Sequence, residues 1–231
     1  MKWWQRFKAW FIDLLCKQSP LPSLPSNPVP EPLPEPEPEI IIDDFTPEKY
    51  VEYYRNLWDT MEIRSERKST IQWYVNQIDG QAEARYRGVE GYSGVPWQVV
   101  AAIHCLESAF RFDSVLHNGE KLEKVNRHGT TLVPKGRGQG KNWTWEQAAV
   151  DAFSIKDQPK VWNVENTLYF LERYNGLGYL RDSRKPNSPY LWSFTKHYFR
   201  GKYVVDGGYS STAVSKQIGA AVLLKELGFL S

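Results

Sequence analysis

The sequence predicts an α+β protein that is mainly helical and carries one small β-hairpin. After residue 40, long stretches place apolar residues at helical spacing and begin with prolines or capping residues. One short stretch in this region has β-type residues on both sides of a glycine-containing turn. The first forty residues differ in composition from the rest, so we expect them to lie outside the folded core.

Residues 1–18 are predicted to form a basic amphipathic helix. Its polar side carries Lys2, Arg6 and Lys8. A membrane span needs about 20 apolar residues, and the segment also lacks the uninterrupted apolar core and cleavage site of a signal peptide. Such a helix is typical of a peripheral membrane or partner-binding anchor, and the alternative is a terminal helix that packs on its own protein. The apolar side consists of Trp3, Trp4, Phe7, Trp10, Phe11, Leu14 and Leu15.

Residues 19–39 are predicted to form a proline-rich linker. They hold nine of the fifteen prolines, at alternate positions from Pro28 to Pro38. This spacing forces extended polyproline geometry and prevents core formation, so a semi-rigid spacer is expected, with a proline-recognition segment as the alternative. The folded domain is therefore predicted to span residues 40–231.

Two helical regions are predicted at the start of this domain. Thr46 is expected to cap the first helix, with Pro47 at its first position. A second helical stretch is predicted over residues 65–87, ending where Gly88, Gly91 and Gly94 follow. The apolar side of the first helix is formed by Tyr50, Tyr53, Tyr54, Leu57 and Trp58.

Glu107 lies near the end of a predicted helix over residues 97–110 that is apolar on nearly every face. Pro96 suits its first turn, and the apolar faces predict that protein surrounds it. Burial raises the pKa of a carboxyl group, which a general acid requires near neutral pH. The alternative is a glutamate that reaches solvent or pairs with Arg111 or His104. The central stripe is Val99, Ile103, Leu106 and Phe110.

Further elements are predicted towards the C-terminus. Residues 122–125 and 130–133 are expected to form the hairpin around a turn at 126–129. A helix is expected up to Ser154, starting after Asn142 or Thr144. A closing helix is expected to be capped by Ser210 or Ser211 and to extend through Leu227.

The composition limits the classes of function. A chain of 231 residues with 41% hydrophobic residues can bury one sizeable core. The formal net charge of +2 is too small to indicate a nucleic-acid partner. With only Cys16 and Cys105 present, no disulfide framework is expected, and Cys105 should be a small core residue. His104 and His117 lack metal-ligand spacing, and we expect neither a metal nor a cofactor.

A resemblance to a known family extends from about residue 88 to the end of the chain. The segment Ile103-His-Cys-Leu-Glu107-Ser108 resembles the catalytic helix of goose-type lysozymes and lytic transglycosylases. More closely, the region is similar to lysozyme-like proteins of phages and bacteria. This resemblance implies a lysozyme-like fold with the hairpin beside the acid. It also implies that Glu107 is the proton donor to the glycosidic oxygen. The motifs that carry it are Glu107-Ser-Ala-Phe, Leu116-His-Asn-Gly-Glu120, Tyr174-Asn-Gly-Leu-Gly-Tyr179, Ser188-Pro-Tyr-Leu-Trp192 and Gly201-Lys-Tyr-Val204.

Glu120 is predicted to be the second catalytic carboxylate. Most glycosidases use one on the opposite face of the sugar, and the resemblance places that acid in this loop. Gly119 permits a tight turn that could direct Glu120 inward. The alternatives are an ordinary solvated loop glutamate, or Asp151 or Asp206 as the second acid, whereas Asp113 resembles a residue that fixes the chain after the helix.

Eight residues are predicted to bind substrate. Tyr174 and Asn175 resemble a Tyr-Asn-X-Gly turn that lines the cleft of the superfamily. Aromatic rings of the later motifs could stack on sugars, although core packing is the commoner use of such rings. The full set is Ser108, His117, Asn118, Tyr174, Asn175, Tyr190, Trp192 and Tyr198.

The predicted function is that of a peptidoglycan hydrolase, an endolysin-like muramidase that cleaves the β-1,4 bond between N-acetylmuramic acid and N-acetylglucosamine. The alternatives are a lytic transglycosylase, which needs only Glu107, a chitinase or chitosanase, and a non-catalytic wall-binding or structural module. Peptidoglycan is the expected partner of a monomer, with membrane contact through residues 1–18 and no nucleic acid. The expected place of action is the bacterial envelope, reached by release from the host cytoplasm or by delivery in a virion.

Overall fold

The computed structural model describes residues 47–132, 134–183, 185–205 and 208–230. The predictions for the helix at 1–18, the linker at 19–39, Cys16, the Thr46 cap and Asp206 lie outside these residues.

Within the described residues the protein is mainly helical, with one small antiparallel sheet, as the sequence predicts. Two 3₁₀ turns, Pro47–Tyr50 and Ser65–Arg67, precede the first two helices. None of the described helices is both long enough and apolar enough to cross a membrane. The helices are α1 (Val51–Asp59), α2 (Lys68–Asn76), α3 (Gly80–Ser93), α4 (Trp97–Ser108), α5 (Leu122–His128), α6 (Trp145–Ser154), α7 (Val164–Asn175), α8 (Pro189–Trp192) and α9 (Ala220–Glu226), and the strands are β1 (Lys202–Val205) and β2 (Gly208–Ser210).

Helix α4 lies in the centre of the core. All of its residues except Gln98 are buried, and α3 and α9 pack against it. This confirms the prediction that protein surrounds the apolar helix, with Cys105 as a core residue. Pro96 is the N-cap rather than part of the first turn, and Phe110 lies beyond the C-terminal end with φ of 60°.

Helix α1 presents the predicted apolar side. Tyr54 is fully buried, while Tyr50, Tyr53, Leu57 and Trp58 are partly buried against the core. Helix α1 packs against α7. The Tyr50 ring stacks on the Tyr169 ring, with the ring centroids 6.0 Å apart.

The predicted helix over residues 65–87 is wrong in both its continuity and its end. Asp79 interrupts it, because its carboxylate accepts a hydrogen bond from Ala82 N and caps α3. Helix α3 continues through Gly88 and Gly91 and ends only at Gly94, which has φ of 74°. A glycine inside a helix weakens it but does not terminate it, whereas left-handed backbone does.

The predicted hairpin at residues 122–133 is also wrong, because residues 122–128 form helix α5. Val125 is buried against Val115 and Ala148, with Leu122 packed on the same side, and this i, i+3 pair suits a helix. The sheet instead pairs β1 with β2, with Tyr203 opposite Tyr209. The antiparallel pairing therefore lies between residues 202–205 and 208–210, near the C-terminal end of the chain.

Helices α6 and α9 begin at later residues than the earliest starting points that the sequence predicts. Thr144, not Asn142, caps α6 and forms a capping box with Gln147. The closing helix begins only after Gly219, so the predicted caps at Ser210 and Ser211 are wrong. Ser210 ends β2 instead, and its hydroxyl accepts a hydrogen bond from Ala213 N at 3.2 Å.

Replacement of Gly219 by alanine should destabilise the protein by about 2 kcal/mol or more. A Cβ at this position would overlap the Leu191 carbonyl oxygen and would lie 2.8 Å from Ser193 N, and both are backbone atoms. The control is Gly88→Ala in α3, where no atom lies within 4 Å of the new Cβ. It should raise stability by about 0.5–1 kcal/mol. Urea unfolding of the two variants measures both changes, and equal effects would contradict the argument.

Candidate active site

Glu107 occupies the last turn of α4 and is only 7% exposed. The hydroxyl of Tyr190 donates a hydrogen bond to Glu107 Oε1 at 2.8 Å. Tyr190 is itself buried and lies on the short helix α8, which starts at Pro189. The carboxyl group is therefore held in one orientation by a residue from a distant part of the chain.

Tyr174, in the last turn of α7, lies in the same environment. Its hydroxyl donates a hydrogen bond to the Leu116 carbonyl oxygen at 2.9 Å. Burial, and then the charge of Glu107, raise the pKa of Tyr174 well above its ordinary value. The same two causes raise the pKa of Tyr190. Both phenols therefore keep their protons near neutral pH and can act as hydrogen-bond donors.

The side chain of Lys156 places a positive charge beside Tyr174. Its ammonium nitrogen lies 4.9 Å from the centroid of the Tyr174 ring. Although the residue as a whole is exposed, desolvation near the ring lowers the pKa of Lys156, and the Glu107 carboxylate opposes that shift. We call Glu107, Tyr174, Tyr190 and Lys156 the Glu107 cluster. Lys156 is not predicted as a site residue, because no local sequence pattern marks it.

Glu120 is buried, so the interpretation as a solvated loop glutamate is wrong. The preceding Gly119 has φ of 74°, as the predicted tight turn requires, and Glu120 is 7% exposed. Its carboxylate accepts hydrogen bonds from the backbone N–H groups of Thr131 at 2.9 Å and Leu132 at 3.2 Å. The Thr131 hydroxyl and the Lys124 ammonium also donate to it.

These donors decide the charge state of Glu120. Burial by itself would raise the pKa of the carboxyl group, but the hydrogen bonds from Thr131, Lys124 and Leu132 outweigh it and lower the pKa below its ordinary value. Glu120 is therefore ionised at neutral pH. Its described hydrogen bonds connect the turn at Gly119 to residues 131 and 132, not to the Glu107 cluster.

His117 and Asn118 help to order the same loop. His117 Nε2 lies 2.8 Å from Asp151 Oδ2, and its ring stacks on Trp143. Burial lowers the pKa of His117 despite the nearby Asp151, so the ring is neutral at pH 7. Asn118 Oδ1 accepts a hydrogen bond from Glu120 N at 3.1 Å. These contacts give His117 and Asn118 a structural role in ordering the loop. That either residue binds substrate stays a prediction.

The other predicted binding residues differ in their burial. The Ser108 hydroxyl donates to the His104 carbonyl oxygen at 3.2 Å. Trp192 is fully buried and Tyr198 is 3% exposed, and the Tyr198 hydroxyl accepts a hydrogen bond from Ser215 N. For Trp192 and Tyr198 this favours the alternative of core packing. Asn175 is half-buried at the end of α7.

Asp113 and the alternative second acid Asp151 have other partners. Asp113 is exposed and forms an ion pair with Lys121. Asp151 bonds Arg137 as well as His117, and Asp206 lies outside the described residues. Across the described parts of the chain, no group of three or more His, Cys, Asp or Glu side chains could hold a metal ion.

His104, suggested as a partner of Glu107, instead bonds another residue. Its Nδ1 lies 2.8 Å from the Tyr86 hydroxyl. The ring packs among Phe112 and Trp145, and burial lowers the pKa of His104 to about 3. It is therefore a neutral core residue.

Replacement of Glu120 by glutamine should lower the free energy of unfolding at pH 7 by about 2 kcal/mol, since a charged acceptor is lost. The folded-state pKa of Glu120 is lowered, so its stabilisation is present above the unfolded-state value of about 4.3 and declines as the pH falls below it. The difference between the parent and the variant should therefore shrink from pH 7 to pH 3.

The control for this experiment is Glu123→Gln. Glu123 lies nearby on α5, but its side chain is 77% exposed, and among the described residues its ion pair is with the exposed Arg127. Its replacement should change stability by less than about 0.5 kcal/mol. Urea unfolding across the pH range measures both variants, and a Glu120→Gln effect that is constant with pH would refute the assigned charge state.

Comparison of the chain with protein-family models, with curated proteins and with solved structures gave no match.

Proposed function

We propose that this protein cleaves the β-1,4 bond between N-acetylmuramic acid and N-acetylglucosamine in peptidoglycan, with Glu107 as the general acid. The observation that carries the proposal is a carboxyl group only 7% exposed, in the last turn of a buried helix and hydrogen-bonded by Tyr190. The lysozyme-like fold and the substrate come from the sequence resemblance. The proposed fold is supported by the central position of α4, the helix that carries Glu107, in a mainly helical protein.

Glu107 would act by passing its proton to the glycosidic oxygen as the bond to the anomeric carbon breaks. Tyr190 donates to Oε1, so the transferable proton is assigned to Oε2. After the transfer Glu107 is an anion. The hydrogen bond from Tyr190 then becomes charge-assisted, and the Lys156 ammonium stabilises the new charge. The cluster therefore stabilises the state that the reaction creates.

Glu120 supplies the ionised carboxylate that the hydrolase proposal needs. Its lowered pKa keeps it negative when positive charge develops at the anomeric carbon. In this role it would stabilise that charge or orient a water molecule, while Glu107 acts as the acid.

The second candidate is a lytic transglycosylase, and the hydrogen bonds of Glu120 favour it. Two backbone N–H groups, a hydroxyl and an ammonium already donate to this carboxylate. These hydrogen bonds explain the burial of Glu120 by a structural role, so no catalytic role is needed to account for it. In a transglycosylase the sugar's own hydroxyl attacks the anomeric carbon, so only Glu107 is required.

Replacement of Glu107 by glutamine should lower the rate of muropeptide release from purified peptidoglycan by about 10²–10⁴-fold, because glutamine cannot transfer the proton. The matched control is Glu165→Gln, since Glu165 is also 7% exposed but bonds Arg55 on α1. That variant should retain activity while it is folded. Mass spectrometry of the released muropeptides measures both rates, and undiminished release by Glu107→Gln would end the proposal.

The products separate the two candidate reactions. We expect reducing-end N-acetylmuramic acid, and at least a 10²-fold slower rate for Glu120→Gln, if Glu120 stabilises the reacting charge. The rate is to be compared at a temperature where the variant is fully folded. Products with 1,6-anhydro ends, released at an undiminished rate by Glu120→Gln, would instead establish the transglycosylase. Wall binding by the parent without any product would identify a non-catalytic module.

A further inference from the structure

A concave site lies where the Ser65–Arg67 turn meets the segment that follows α8. It is a cavity of about 340 Å³, and its lining includes none of the four residues of the Glu107 cluster. Three arginines contribute to it but only one carboxylate, that of Glu66, so the cavity is cationic. Its main lining residues are Arg64, Arg67, Ser193, Phe194, Phe199 and Arg200.

Arg64 is held in a fixed position at this site. Its Nε donates to the Thr195 carbonyl oxygen and its Nη2 to the Tyr198 carbonyl oxygen, both at 3.0 Å. The nearest described carboxylate oxygen, on Glu66, is 4.0 Å from Nη1 and belongs to a side chain that is 62% exposed. Carbonyl oxygens orient the guanidinium without neutralising it, so its positive charge remains available to a ligand.

Two buried polar groups in the lining have no hydrogen-bond partner among the described residues. These are Arg67 Nε and the hydroxyl of Ser193, a residue that is only 1% exposed. The Arg67 guanidinium lies over the Phe194 ring, 4.9 Å from its centroid, which fixes its plane. Buried donors without acceptors are unfavourable, so an acceptor that reaches either donor from the cavity is stabilised there.

The rim of the cavity combines charge with an apolar surface. Phe199 is 67% exposed, and the guanidinium carbons of Arg64 and Arg200 lie 5.8 Å and 5.9 Å from its ring centroid. Val214, which is 48% exposed, also lines the site. A ligand for this surface therefore needs a negative group and a small apolar part beside it.

We propose that this cavity binds an oxyanion, either a carboxylate or a phosphate ester, carried by a ligand with a small apolar portion. Arg67 Nε and the Ser193 hydroxyl donate hydrogen bonds to the anion. Arg64 and Arg200 supply further positive charge, and Phe199 contacts the apolar portion. The site shares no residue with the Glu107 cluster, although its lining includes Tyr198, which the sequence predicts to bind substrate.

Titration of the full-length, ¹⁵N-labelled protein with two probes tests the site by NMR. N-acetylalanine represents the carboxylate source, and glycerol 3-phosphate represents the phosphate source. At least one probe should shift the Arg67 Nε–H resonance in a saturable way. The affinity should fall as salt is added, because both partners are charged. The probe that binds more tightly identifies the kind of anion.

Variants show whether the assigned donors bind the probe. Arg67→Gln should weaken binding by about tenfold or more, as the loss of a hydrogen bond to a charged group predicts. Ser193→Ala should weaken it less, because a neutral donor is removed. With Arg67→Gln the Arg64 and Arg200 resonances report binding. The control is Arg127→Gln, an exposed arginine on α5 that is paired with Glu123, and it should bind like the parent.

Two results would overturn the proposal. One is the absence of any saturable shift of the Arg67 resonance with both probes. The other is an equal loss of affinity in Arg67→Gln and Arg127→Gln, which would indicate non-specific attraction to positive charge. The Glu107→Gln protein should bind the probes like the parent, so failure of the glycosidase proposal can be distinguished from failure of this one.

Discussion

The burial of α4 on all of its faces is the constraint on which the rest of the structure depends. A helix this apolar is stable only when other segments cover it, and α3 and α9 do so. The cover extends to its C-terminal end, where Gln217 donates a hydrogen bond to the Leu106 carbonyl oxygen at 3.0 Å. Because Glu107 lies in this last turn, the enclosure also requires its carboxyl group to find partners within the protein, and Tyr190 is one of them.

Two glutamates with the same exposure are therefore in different chemical environments. Glu120 receives hydrogen bonds from backbone N–H groups and an ammonium, donors that favour only the ionised carboxylate. Glu107 is bonded by the neutral phenol of Tyr190, whose hydroxyl can donate to a carboxylate or accept from a carboxylic acid. An acid that must lose and regain a proton needs a partner that tolerates both states. If Glu107 is the proposed acid, Tyr190 meets that need and the donors around Glu120 do not, while the Lys156 charge favours the ionised form of Glu107.

The sequence predicted the parts of the protein that local patterns determine. The apolar helix with its buried Glu107, and the turn at Gly119, follow from a continuous run and from a single glycine. The partner of the acid could not be predicted in this way, since Tyr190 lies 83 residues further along the chain. Residues 122–125 of α5 were predicted as a strand because their helical state depends on packing of Val125 against Val115 and Ala148.

The lowered pKa of Glu120 also limits the part that it can take in a reaction. A general base works best when its pKa lies near the working pH, so that it can accept a proton. A carboxylate whose pKa is lowered by four hydrogen-bond donors accepts protons poorly. It remains a fixed negative charge, offset in part by the Lys124 ammonium at 3.0 Å, because its donors hold it in place before positive charge appears. If Glu120 takes part in the chemistry, its role is therefore electrostatic stabilisation of the sugar cation, and not removal of a proton from water.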